Sequence, residues 1–203
     1  MTRELEWIVA TATLALGAVL LTVAFRQRWL ALDALPAAVL VGAAVVAGGG
    51  AGGGLLLFTF LASISILTRF RAHLKGDDGR EHSTRSAGRV SRQVWANGGV
   101  AAACALLSLI PGLGFLTVGI AGALAAATAD SWATEVGTAL RGRTVLVTSF
   151  RVVEPGTSGG VSAGGTLAGV AGSALLGFLA AVAAQLWAVP WQPESAALEL
   201  TTS

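Results

Sequence analysis

Two carboxylates inside one apolar run are the first chemical signal in this sequence. Asp130 and Glu135 stand with the hydroxyls of Thr128, Ser131, Thr134 and Thr138 at the end of a stretch that begins near Phe115. A carboxylate near the centre of a bilayer costs about 2.5 to 3.5 kcal/mol on insertion scales, so such residues usually line a cavity and mark a site. On a helix, Asp130, Thr134 and Thr138 follow one another on one face, while Thr128, Ser131 and Glu135 share the neighbouring face. Hard oxygen donors of this kind suit Mg²⁺, which takes one or two carboxylates together with phosphate oxygens and water. The structural alternative is that these groups satisfy one another, or Arg89, across helices.

Two further clusters carry polar chemistry. Arg89, Gln93 and Asn97 recur at four-residue spacing, with Arg92 on a neighbouring face. Guanidinium forks match phosphate geometry, although topology alone would also place arginines at a membrane edge. The Asn97-Gly98-Gly99 step is expected to open this helix locally. The third cluster is the segment 153–162, in which Gly156, Thr157, Ser158, Gly159 and Gly160 precede an apolar run. A glycine- and hydroxyl-rich loop leading into a helix amino terminus offers backbone N–H groups to an anion. It lacks the lysine of a P-loop, and a plain turn followed by a helix cap is the structural alternative.

The elements that must position these residues are membrane helices. The chain has 203 residues, of which 54% are hydrophobic and 12% charged, with a mean hydropathy of +0.74. Apolar runs long enough to cross roughly 30 Å of hydrocarbon recur at 6–25, 34–50, 53–68, 93–110, 115–139 and 161–188. The expectation is an all-α, single-domain, polytopic bundle of about six helices spanning 1–203. The first span reads as a retained helix, since no small-residue cleavage site precedes Arg26. The run Gly48–Gly54 supplies the break in an apolar stretch too long for one crossing, and is read as a hairpin with close helix packing.

Charge sets the orientation. Arg26 and Arg28, the basic loop 69–92, and Arg141, Arg143 and Arg151 in the loop 140–160 all fall on one side if there are six crossings. The positive-inside rule makes that side cytoplasmic and leaves both termini outside. Trp7, Trp187 and Trp191 then mark the outer interface and Trp29 and Trp95 the inner one, while Trp132 lies within the acidic motif. Small residues at four-residue spacing, Gly119, Ala123, Ala127 and Ser131 on one span and Gly165, Gly169, Ser173 and Gly177 on the next, predict that these two helices are neighbours. Cys104 is the only cysteine, which excludes an intramolecular disulfide and a thiolate metal site. All three clusters thus converge on the cytoplasmic face and describe a site for an amphiphile with a phosphate head, open to a water-soluble phosphate donor.

Three blocks resemble the transmembrane protein 19 family, which includes the plant phytyl-phosphate kinase. They are Gly88-Arg89 with Arg92 to Val100, then Ala127 to Gly137, then Glu154 to Ser162, in a match that covers roughly residues 50–185. The resemblance implies a phosphotransferase that converts an isoprenyl monophosphate to the diphosphate, with a nucleoside triphosphate as donor. On that reading Asp130 and Glu135 hold Mg²⁺ and, with Arg89, form the catalytic set. Arg92 and the 156–160 loop bind phosphates, and Gln93 and Asn97 orient them. The attacking phosphate oxygen is already anionic, so positioning and charge neutralisation matter more than a strong base. The expected partners are an isoprenyl-phosphate lipid, a nucleotide and membrane lipids, with no nucleic acid, and a homo-oligomer is compatible. The expected location is the cytoplasmic membrane of a prokaryote, with the site facing the cytosol. The rival reading is a proton- or cation-coupled transporter or lipid flippase using the same two acids, and the third is a non-catalytic membrane scaffold.

Overall fold

The computed structural model describes residues 31–74 and 90–186, together with Thr22 and Arg26. The first predicted span, apart from Thr22, and most of the basic loop 69–92, including Arg89, lie outside the described residues. The fold is mostly helical, as expected, and begins with a short 3-10 turn, Leu32–Ala34. Helix α1 follows over Leu35–Leu74, α2 over Ser91–Ser108, α3 over Thr117–Leu140 and α4 over Ala163–Leu186. Among the described residues, three stretches, Leu32–Arg71, Gly114–Leu140 and Ala163–Gln185, are long and apolar enough to cross a membrane.

Helix α1 is 40 residues long and is interrupted at Gly50, where φ is 58° and ψ is −152°. That backbone region is essentially closed to residues with a side chain. The interruption reverses the chain. A Cβ at Gly53 would lie 2.8 Å from the Val45 carbonyl oxygen, and one at Gly54 would lie 3.3 Å from Val46 Cγ2. Residues eight apart on a straight helix would be separated by about 12 Å. Two limbs, 35–49 and 51–74, therefore fold back on one another, as the Gly48–Gly54 run predicts.

The remaining helices assemble around this hairpin. Helix α2 runs alongside the first limb: the Ser91 N–H donates to Asp33 Oδ2 at 3.2 Å, and Gly98 receives the Val41 side chain. The helix is continuous through Asn97-Gly98-Gly99, so the expected local opening is absent. The absence of a side chain at Gly98 admits Val41 instead of releasing the backbone. Helix α3 runs alongside the second limb, and Gly119 packs on Cys104 of α2. One buried cluster joins all four helices through Val41, Val45, Phe60, Ala105, Leu124 and Leu176.

The predicted neighbours α3 and α4 do pack together, and through small residues. A Cβ at Gly165 would meet the Ala133 carbonyl oxygen at 2.8 Å, and one at Gly169 would meet the Ala129 carbonyl oxygen at 3.0 Å. The α3 ridge is thus Ala129, Ala133 and Gly137, not the expected Gly119, Ala123, Ala127 and Ser131. On α4, Gly172 against Trp132 replaces Ser173 and Gly177. The rotation of α3 follows from its larger side chains: Trp132 and Glu135 reach toward α1, which turns the Ala129 line toward α4.

The loop expected over 140–160 is instead a small sheet. Strands β1 (Thr144–Leu146), β2 (Val152–Val153) and β3 (Gly160–Ser162) pair antiparallel in the order β2-β1-β3. Val145 stands opposite both Val152 and Val161. The bundle accordingly has two ends. One gathers Asp33, Arg71, Ser91 and the sheet. The other carries the glycine turn and the 109–116 connection, neither of which contains a charged residue.

Candidate functional site

The acidic motif is split between two faces of α3. Glu135 turns toward the second limb of α1, where its Oε2 lies 3.2 Å from Arg71 Nη1. Its Oε1 lies 3.0 Å from the Thr68 hydroxyl. Arg71 Nη1 also donates to Thr138 Oγ1 at 3.0 Å, and Thr138 donates onward to the Thr134 carbonyl at 2.7 Å. The Arg71 and Glu135 side chains are only 9% and 16% exposed. Glu135 Oε2 is buried and its contact with Arg71 is an ion pair without hydrogen-bond alignment. The Thr68 proton serves two acceptors, Glu135 Oε1 and the Ile64 carbonyl at 2.9 Å.

Asp130 is elsewhere. It is exposed on α3 and makes no hydrogen bond or ion pair among the described residues. Five residues of α-helix rotate Asp130 and Glu135 about 140° apart, so the structure does not bring the two carboxylates together. Among the described residues no group of three or more His, Cys, Asp or Glu assembles. Thr128, which the sequence placed in the same polar group, is buried and bonds the Leu124 carbonyl at 2.7 Å. Trp132 reaches across to α1 and donates to Ser63 Oγ at 3.2 Å.

The loop 154–160 is closer to Glu135. A Cβ at Gly156 would lie 3.6 Å from Thr138 Cγ2, which seats the loop on the residue that accepts from Arg71. Of the five amides of residues 156–160, two close turns: Thr157 N–H donates to the Glu154 carbonyl at 3.2 Å and Gly160 N–H to the Thr157 carbonyl at 2.9 Å. The amides of Gly156, Ser158 and Gly159 have no acceptor among the described residues. Gly156 and Gly159 hold φ of 96° and 75°, conformations that suit glycine. The helix start itself is occupied, since Ser162 Oγ accepts from the Gly165 N–H at 3.2 Å as an N-cap. Replacing Ser162 by alanine is expected to cost about 1 kcal/mol, visible as a lowered unfolding temperature of the purified protein; an unchanged temperature would show that the cap contributes nothing.

The α2 cluster is not joined to this site. Arg92 and Gln93 are exposed and Asn97 is half-buried. Gln93 Oε1 accepts from the Val90 N–H at 3.2 Å, a capping role at the helix start. Arg92 and Asn97 have no polar partner among the described residues. The residue that sequence reasoning missed is Arg71, counted there only as one charge in a basic loop. Its spacing from Thr68, one turn earlier on the same helix face, was the available signal.

Comparisons with known proteins bear on this arrangement. One relative is an uncharacterized membrane protein of Methanocaldococcus jannaschii, 38% identical over 89 residues, covering 44% of this chain and 37% of that protein. Another is an uncharacterized membrane protein of Synechocystis sp., 37% identical over 98 residues, covering 47% of this chain and 38% of that protein. The matched stretch therefore spans well under half the length of either relative. No solved structure matches the chain. The family model described as integral membrane protein DUF92 matches residues 15–201, in agreement with the apolar helices, and the chain belongs to that family.

Proposed function

We propose that this chain is a membrane phosphotransferase that converts an isoprenyl monophosphate to the diphosphate with a nucleoside triphosphate as donor. The observation that carries the reading is the seating of the 154–160 loop, with three amides that have no acceptor among the described residues, on the Arg71–Glu135–Thr138 cluster at the charged end of the bundle. Amides of this kind and buried guanidinium groups are suited to phosphate oxygens. The likeness of three sequence blocks to the transmembrane protein 19 family supports the same chemistry. Magnesium belongs to the proposal as the companion of the nucleotide. With the acids on different faces, it would be held by one carboxylate and completed by phosphate oxygens and water. By the positive-inside rule the site faces the cytosol.

The test uses the purified full-length protein in lipid nanodiscs with phytyl or geranylgeranyl phosphate, Mg²⁺ and each nucleoside triphosphate. Diphosphate product is expected. Glu135→Gln, which removes the charge and keeps an acceptor for the Thr68 hydroxyl, should lower turnover by about 10²- to 10³-fold, the usual loss when a group stabilising transition-state charge is removed. Absence of diphosphate with every donor would sink the assignment. A second reading, proton- or cation-coupled transport, is favoured by one observation: Asp130, without a partner among the described residues, lies about midway along Thr117–Leu140. Flux into liposomes that disappears in Asp130→Asn, with no diphosphate formed, would decide for it.

A further inference from the structure

The small sheet has its polarity reversed. An antiparallel sheet that faces water on one side ordinarily buries its apolar residues and exposes its polar ones. Here Thr144 is buried and faces Ser162 and Val153 across the ladder. Ser162 in turn lies beside Gly137 of α3. The opposite face carries a row of valines, Val152, Val145 and Val161, aligned by the strand register. Val152 and Val161 are 61% and 42% exposed, and at the β1–β2 turn Val147 and Phe150 are 56% and 80% exposed. Phe150 holds a left-handed φ of 53°, so the turn projects its ring at a conformational cost.

Two observations say what covers this face. The first is continuity with the membrane: three residues separate the end of α3 from β1, and β3 passes into α4 without a linker. Both helices are long and apolar enough to cross a bilayer, so the sheet cannot leave its surface. The second is charge. The segment 141–162 contains Arg141, Arg143 and Arg151 against the single acid Glu154. All three arginines are exposed and lack partners among the described residues.

We infer that the valine face and Phe150 are an interfacial foot, embedded at the boundary of headgroups and acyl chains, with the arginines bound to anionic phospholipid headgroups of the same bilayer. Apolar side chains beside basic ones bind an anionic interface through buried apolar area and electrostatic attraction together. This inference stands apart from the proposed phosphotransfer, since it uses none of the residues assigned to it. It also gives the 154–160 loop a fixed height at the headgroup level.

The test places a nitroxide at Phe150→Cys or Val152→Cys in the full-length protein, in a Cys104→Ala background that removes the native thiol. Both positions are exposed, so the labels leave the interior intact. In phosphatidylcholine bilayers, molecular oxygen should relax both labels several-fold more than a water-soluble nickel chelate. Adding phosphatidylglycerol should raise that ratio further, and Arg143→Gln with Arg151→Gln should abolish the added effect. Nickel access equal to that of a label in free solution would overturn the inference. So would indifference to phosphatidylglycerol, or spin–spin broadening that vanishes on dilution with unlabelled protein, because the latter would assign the face to a second copy of the chain.

Discussion

Replacing Arg71 with alanine is expected to destabilise the fold by about 3–5 kcal/mol, the cost of stranding one partner of a buried ion pair. The loss is large because of what Arg71 leaves behind. Glu135 Oε2 has no hydrogen-bond partner, so the guanidinium is its only charge compensation among the described residues. Thr138 would lose a donor in the same step. Glu135→Ala should cost a similar amount by leaving the arginine unpaired between apolar helices. The double variant Arg71→Met, Glu135→Leu should recover most of the loss, since well-packed apolar replacements for a buried pair are often neutral or stabilising. Thermal unfolding of the purified protein in one detergent resolves the four variants, counting the parent. If Arg71→Ala unfolded with the parent, the pair would have no structural weight.

The second large effect is expected at Gly48. A Cβ there would lie 2.7 Å from Ala105 Cα and would overlap the Ala105 carbonyl group. The obstacle is backbone, which cannot move aside as a side chain can. Overpacking typically costs about 1–3 kcal/mol, and Gly48→Val should lie at or above the top of that range because it separates α2 from the first limb. Gly122 supplies the control. It is exposed on α3, and a Cβ there meets nothing within 4 Å. Gly122→Ala should therefore be neutral or stabilise by about 0.5–1 kcal/mol through helix propensity. Equal unfolding temperatures for Gly48→Val and Gly122→Ala would show that the α1–α2 approach is not as close as described.

Hydropathy and glycine spacing made most of the helical architecture legible. The Gly48–Gly54 run predicted a reversal because seven residues with only one side chain beyond hydrogen cannot hold a long helix straight. The α3–α4 neighbourhood followed from small residues at helical period, but the sequence carries several such lines. Only the reach of Trp132 and Glu135 toward α1 decides which of them faces α4. The sheet was not legible, since strands of two or three residues are too short for an alternation to register. The site was half legible. Glu135, Thr138 and Gly156 do come together, whereas Asp130 is turned away by helix rotation, a matter of geometry that residue type cannot express.

The uncharged turns at the far end carry a consequence for how this protein enters its membrane. Neither Gly48–Gly54 nor the 109–116 connection contains a lysine, arginine, aspartate or glutamate. Each joins two helices whose other ends lie on the charged side. Transferring a charged residue past the bilayer centre costs about 2.5–3.5 kcal/mol on biological scales. The limbs of α1 can therefore enter together as one pair, and α2 with α3 as another, without dragging a charged turn across. The charged termini of those helices stay on the side from which they came.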